Sequence, residues 1–189
     1  MRMTEVLQMS WLTTPAMVGP RVRNQLLECW RDVSNAGGAV GFPFPPVSDE
    51  HVLPSIDAMV RSLDLEVNRI LIATMDGELA GWLLLAGNSS ELTAHWARVL
   101  RVQTALNFRN CGVGRALMEE VSRAATEDLS LEQLRLEVRA GMGLEGFYQS
   151  CGWREIGRWP EALRLPGGDR DEVLMTLALK RNAGPVGVR

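Results

Sequence analysis

The sequence is poor in the residues that build metal centres and disulfide frameworks. Its three cysteines, Cys29, Cys111 and Cys151, form no CxxC pair, and its two histidines, His51 and His95, stand far from them and from each other. An odd cysteine count argues against a complete disulfide set, and without ligand spacing no metal site is expected. No apolar run approaches the ~20 residues that a membrane helix needs, and the N-terminal stretch lacks a secretion-signal core and cleavage site. A cytoplasmic protein with no membrane association is therefore expected. Lysine and arginine total 20 against 23 aspartates and glutamates, a formal net charge of -3, so the basic footprint of a general nucleic-acid binder is missing. Neither a GxxxxGK[ST] loop, an internal repeat nor a low-complexity segment occurs.

What is present is 46% hydrophobic residues over 189 positions, enough for one well-buried core and too few for two domains as the default. The expected organisation is one domain over residues 1–180 and a disordered tail, 181–189, with little to pack. Thr4 to Leu12 reads as a first strand, closed by Thr13-Thr14-Pro15. Val22, Leu26, Leu27, Trp30 and Val33 recur at helical spacing over Val18–Ala36, and Gly37-Gly38 supply the stop. Three prolines then make residues 39–46 a stiff loop. Its Phe42 and Phe44 either ride on a plain connection or form the wall of a pocket. Ser48 or Asp49 caps a second helix whose start Pro54 is expected to disturb, with His51 an exposed helix residue.

Arg69–Met75 and Glu78–Ala86 flank Asp76-Gly77, the signature of a type I′ hairpin between buried strands. A strand over Ala94–Thr104 follows. Next comes Arg109-Asn110-Cys111-Gly112-Val113-Gly114-Arg115, then a helix over Gly112–Asp128 carrying Val113, Leu117, Val121 and Ala124 on one face. Two glycines thus sit where a strand hands over to a helix. The first N–H groups of that helix lack internal partners and its dipole adds partial positive charge, so the turn suits a phosphate, with Arg109 and Arg115 adding cationic character. Leu134–Arg139 alternates as a half-buried strand does, leaving Glu137 either solvated or a pocket base. A short helix bearing Tyr148, a strand over Trp153–Arg158, a connection with Pro160 and Pro166-Gly167-Gly168, and a last strand over Glu172–Leu179 complete the chain.

The Arg-x-x-Gly-x-Gly turn resembles the pyrophosphate loop of the GNAT superfamily of acyl-CoA N-acyltransferases. Phe147-Tyr148 followed by Gly152-Trp153 resembles that family's helix-to-strand segment, and the two motifs come in the family's order. The resemblance implies an α/β fold, with a mixed, mostly antiparallel, V-shaped sheet flanked by helices. It implies acetyl-CoA as co-substrate, its pyrophosphate on residues Arg109, Asn110, Cys111, Gly112, Val113, Gly114 and Arg115, and its pantetheine arm on the backbone of Val102 and Thr104. Tyr148 takes the place of the general acid near the CoA sulfur. Glu91 and His95 are the candidate bases, since they lie before or on the strand that reaches the thioester. Phe42, Phe44 and the acidic Asp169, Asp171 and Glu172 become candidates for binding a cationic acceptor. The family's Asn seven residues before the tyrosine is replaced by Gly141.

Direct transfer of an acetyl group to the primary amine of a small molecule is the expected activity, with a homodimer left open. Acetylation of a protein N-terminus or lysine is the second reading. A non-catalytic acyl-CoA-binding module is the third.

Overall fold

In the computed structural model, residues 6–38, 41–42, 45–64 and 66–179 are described. Phe44 and the expected tail 181–189 lie outside them. Seven strands form one sheet: β1 (Leu7–Leu12), β2 (Asn68–Met75), β3 (Glu78–Ala86), β4 (Trp96–Thr104), β5 (Gln133–Arg139), β6 (Arg154–Leu163) and β7 (Arg170–Ala178). Their spatial order is β1-β2-β3-β4-β5-β7-β6, and only β4 and β5 run parallel. Helices α1 (Pro20–Asn35) and α2 (Asp49–Arg61) belong to one side of the sheet, α3 (Val113–Glu127) and α4 (Leu144–Ser150) to the other. No helix among the described residues is long and apolar enough to cross a membrane.

Strand alternation divides the core between the two faces. Leu71, Ala73, Leu83 and Leu85 join Leu117, Met118 and Val121 of α3, whereas Ile70, Ile72 and Trp82 join Leu26, Trp30, Val52 and Ile56 of α1 and α2. Each fully buried Leu or Ile here contributes on the order of 1.5–3 kcal/mol relative to exposure. The β2–β3 turn is the expected one, with both Asp76 (φ 51°) and Gly77 (φ 80°) left-handed.

Two expectations are corrected by the geometry. Pro54 does not delay α2, which begins at Asp49 with the proline inside it; the Nδ1 of His51 accepts the Ser48 backbone N–H at 3.1 Å, so that histidine caps the helix. Pro160 does not end β6. That strand is the sheet edge, where a missing N–H leaves no neighbour unbonded, and it continues to Leu163 through an irregular register with Glu161 at φ 51°.

At Gly81 the side chains of α3 pack tightly against β3. A Cβ there would stand 2.7 Å from the Gln103 carbonyl oxygen and 2.8 Å from Val113 Cγ1. Gly81→Val should therefore destabilise the protein by roughly 2 kcal/mol or more, as overpacking against backbone does. The urea midpoint checks it, and a midpoint equal to wild type would contradict the close approach.

Candidate active site

The site begins where two strands part. β4 and β5 pair only through Trp96–Gln133, Ala97–Leu134 and Arg98–Arg135, at the start of each strand. Further along, β4 holds to β3 while β5 holds to β7. On β4 the register against β3 shifts between Trp82 and Leu84, and Arg101 there has φ 56°. Such a bulge bends its strand and increases its twist, which suits a strand turning away from a neighbour. The peptide groups of β4 that face β5 are thereby left without a strand partner.

Between the arms lies a cleft of about 860 Å³. One wall is Val99 to Thr104, the other Leu136 to Arg139, with Phe147 and Tyr148 of α4 and Glu172 of β7. The end of α1 and the residues after it, Val33 and Ala36 to Gly38, bound it on the α1 side. Residues 109, 110 and 112–115 also line it.

At the start of α3, Asn110 (φ 63°) and Gly112 (φ 80°) are both left-handed, and the first N–H to bond back is that of Ala116, to the Gly112 carbonyl at 3.0 Å. The N–H groups of residues 113–115 therefore precede the helical ladder, the arrangement that binds anions. A Cβ at Gly112 would meet nothing within 4 Å, so this glycine answers to backbone conformation and to the open space beside it. Gly114 has another reason: its Cβ would lie 3.2 Å from Phe147 Cζ, so it lets α4 pack against α3. Arg115 ties the same helices together, donating to the Ser150 carbonyl at 3.4 Å and to Ser150 Oγ at 3.1 Å. Arg109 is exposed and enters no ion pair among the described residues.

Of the expected site residues, Val102, Thr104, Arg109, Asn110, Gly112, Val113, Gly114, Arg115, Tyr148 and Glu172 converge on the cleft. Cys111 does not line it; its exposed thiol lies 3.6 Å from the Arg109 carbonyl oxygen. Glu91 and His95 require correction. Both are exposed in the turn that precedes β4, at the end where β4 and β5 are still paired, and neither lines the cleft. Phe42 packs edge-on against Trp30, centroids 5.4 Å apart, in the core under α1 rather than in the cleft wall. Asp169 is committed to Arg164 at 3.2 Å, and Asp171 Oδ1 accepts the Glu161 N–H at 3.0 Å; both hold the β6–β7 hairpin and stand outside the cleft.

Tyr148 is buried, 7% exposed, with its ring against Phe147 and Trp153. Its hydroxyl makes no hydrogen bond among the described residues, although the side chain lines the cleft. Burial, and secondarily the neighbouring Cys151, push its pKa upward, so the phenol keeps its proton. Gly141, in the place of the family's asparagine, has φ 80° and its N–H donates to Glu145 Oε1 at 3.2 Å.

The carboxylates that reach the cleft are Glu137 and Glu172. Glu137 and Arg139 share the face of β5 opposite to buried Leu136 and Val138, and Glu172 stands directly across from Arg139 on β7. Burial first, and the charge of Glu137 second, raise the Glu172 pKa above the usual carboxylate value. Alternation on β5 marks Glu137 in the sequence, but only the register shows Glu172 as its diagonal neighbour on β7, with Leu174 directly opposite Glu137. Cys29, by contrast, lies buried beneath the sheet with its thiol pushed up to about 12 by burial, its Sγ 3.9 Å from Gln103 Oε1. It is a packing group. Among the described residues no cluster of His, Cys, Asp or Glu could hold a metal ion.

An acetyltransferase (GNAT) domain model matches residues 47–162. The chain belongs to the GNAT acetyltransferase family. It is an acetyl-CoA-dependent N-acetyltransferase with the mixed, mostly antiparallel sheet of that fold. Solved structures resemble it over nearly their whole length. The ribosomal-protein-S18-alanine N-acetyltransferase of Escherichia coli is 18% identical with TM-score 0.71, covering 97% of this chain and 100% of that one. YncA of Salmonella typhimurium, seen with its cofactor acetyl-CoA, is 15% identical with TM-score 0.70, covering 96% and 99%. A structure named for phosphinothricin N-acetylation is 16% identical with TM-score 0.70, covering 93% and 100%. At these identities the likeness is one of fold. The search of curated proteins returns no match.

Proposed function

We propose that the protein transfers the acetyl group of acetyl-CoA directly to the primary amine of a small molecule, in the cleft between β4 and β5. The observation that carries this reading is the convergence, on one cleft, of an anion-binding helix start, an unbonded phenol and a carboxylate pair. The residues fit the co-substrate: Gly112 leaves open space before α3, Arg109 enters no ion pair among the described residues, and β4 offers backbone groups along the cleft. When bound, acetyl-CoA supplies an acyl group activated as a thioester and a thiolate leaving group. Residues 109–115 would hold its pyrophosphate, and the backbone of Val102 and Thr104 its pantetheine arm.

An alkylammonium has a pKa of about 10, so the acceptor must lose a proton before it attacks. Glu137 and Glu172 are the carboxylates placed to take that proton, and burial with the nearby Glu137 charge raises the proton affinity of Glu172. Tyr148 donates to the developing thiolate. A phenol of raised pKa stabilises that charge by hydrogen bonding more readily than by surrendering its proton to a thiol of pKa about 8.5. A walled cleft bounded by the end of α1 favours a small acceptor. Protein acetylation is the alternative, since the Escherichia coli neighbour is named for acting on a ribosomal protein.

Thiol release from acetyl-CoA, measured on small amines beside peptide N-termini, tests the reading; faster acetylation of peptides throughout the panel would overturn the small-molecule assignment. Gly112→Asp should lose acetyl-CoA binding in calorimetry by about tenfold or more relative to Gly112→Ala, because both share the left-handed strain and only Asp repels phosphate. Glu137→Gln should lower kcat by ~10–100-fold. The base works deprotonated, so kcat/KM rises with pH, with its acidic limb above the ordinary carboxylate range. Removing the Glu137 charge lowers the Glu172 pKa and should move that limb to lower pH in the residual activity; an unmoved limb would dissociate the pair. Tyr148→Phe should reduce kcat by ~10-fold or more with little change in acetyl-CoA affinity, and unchanged turnover would remove Tyr148 from the chemistry.

A further inference from the structure

Two arginines that line the cleft are engaged by the protein itself: Arg115 bonds Ser150, and Arg101 lies over the Trp30 ring at 5.3 Å. Arg139 differs. Its Nε is buried without a hydrogen-bond partner among the described residues, and its Nη1 makes a weak contact with Met142 Sδ at 3.9 Å. Glu172 stands opposite in register, yet no carboxylate among the described residues lies within ion-pair distance of it. An arginine cannot shed its charge as lysine can, so this is a half-buried cation, lining the cleft, with no ion pair among the described residues. Burial disfavours that charge and lowers the Arg139 pKa, a cost which a bound anion would offset.

We propose that Arg139 recognises an anionic group on the acceptor, so that the substrate is a small amine carrying a carboxylate or similar acid a few bonds from its nitrogen. The inference rests on the transfer reading above and names the substrate class of that same site. Glu137 lies two residues back on the same strand face, ~7 Å away along the backbone. An amine facing the Glu137–Glu172 pair thus places an acid of that spacing at the guanidinium, whose planar fork accepts a carboxylate in two parallel bonds. A phosphate of the co-substrate is the rival occupant. The side chain of Arg139, however, belongs to the face of β5 opposite to Val138, and Val138 packs in the core that α3 and α4 cover. The anion-binding start of α3 serves that other face. The cleft is therefore polarised, with the carboxylates at one point and a fixed cation beside them, and a polycation would find only half of it complementary.

The test compares free amino acids with their uncharged amides as acceptors, at saturating acetyl-CoA. The wild type should favour the acid over its amide by about 30-fold in kcat/KM, and Arg139→Gln should shrink that ratio by about tenfold or more, with Arg139→Lys retaining part of it. A loss of folding or of general activity would slow both members of each pair and leave the ratio standing. A ratio that Arg139→Gln does not change overturns the proposal, as does a raised KM for acetyl-CoA accompanied by equal slowing of both acceptors. So does a peptide acetylated faster than every amino acid irrespective of residue 139. Calorimetric titration of the CoA-bound protein with the amino acids separates this proposal from the transfer reading. Binding that weakens in Arg139→Gln upholds the recognition even where no acceptor releases thiol, an outcome that would sink the transfer reading alone; equal binding to both proteins overturns the recognition.

Discussion

The parting of β4 from β5 is the constraint from which the rest of the site follows. Three parallel pairs hold the strands together at one end. The bulge at Arg101 then carries β4 toward β3, while β5 stays with β7 over its full length. A sheet rarely leaves peptide groups unpaired in its middle, because a buried N–H or carbonyl without a partner costs about as much as a lost hydrogen bond. Opening the sheet here makes a slot lined by backbone donors and acceptors, and a ligand that fills it restores the bonding. The two hydrophobic clusters make this tolerable. α1 and α2 brace β2 and β3 from one face, α3 braces them from the other, and neither needs β4 and β5 to touch beyond Arg98 and Arg135.

The helix that begins at Val113 brings its first unbonded N–H groups to this slot. Gly81 lets α3 lie close to β3, and Gly114 lets α4 lie close to α3, so the loop before the helix and the phenol on α4 face the same space. The two glycines of the turn therefore serve different ends. Gly112 supplies a left-handed backbone and leaves its surroundings open, whereas Gly114 makes room for Phe147. A glycine motif read only as a phosphate cradle misses that half of it is helix packing.

On the opposite face, the polar side chains of β5 and β7 give the cleft its electrostatic character. Burial and the charge of Glu137 raise the attraction of Glu172 for protons, and Arg139, directly across from Glu172 in register, forms no ion pair with either among the described residues. An ion pair between Arg139 and Glu172 would have quenched both groups. Their separation leaves carboxylates and a guanidinium side by side along one cleft, where partial exclusion of water strengthens the field of each.

Much of this was written locally. The β2–β3 hairpin followed from Asp76-Gly77 between apolar runs, α3 from its helical apolar spacing, and the left-handed turn before it from glycines at a strand-to-helix junction, since each depends on neighbours within a few residues. The family resemblance rested on the same kind of local motif, and the domain match supports it. Residues placed by proximity in sequence fared otherwise. Glu91 and His95 precede the right strand but sit at its paired end; Asp169 and Asp171 are acidic near the right strand but are bound to Arg164 and to the Glu161 backbone; Phe42 turns into the core against Trp30. The sequence by itself determined the elements and the turn, because hydrophobic period and backbone conformation are short-range properties. Only the tertiary structure decided which charges meet, because the partnership of Glu137 with Glu172, and the isolation of Arg139, are set by the register between strands more than thirty residues apart in the chain.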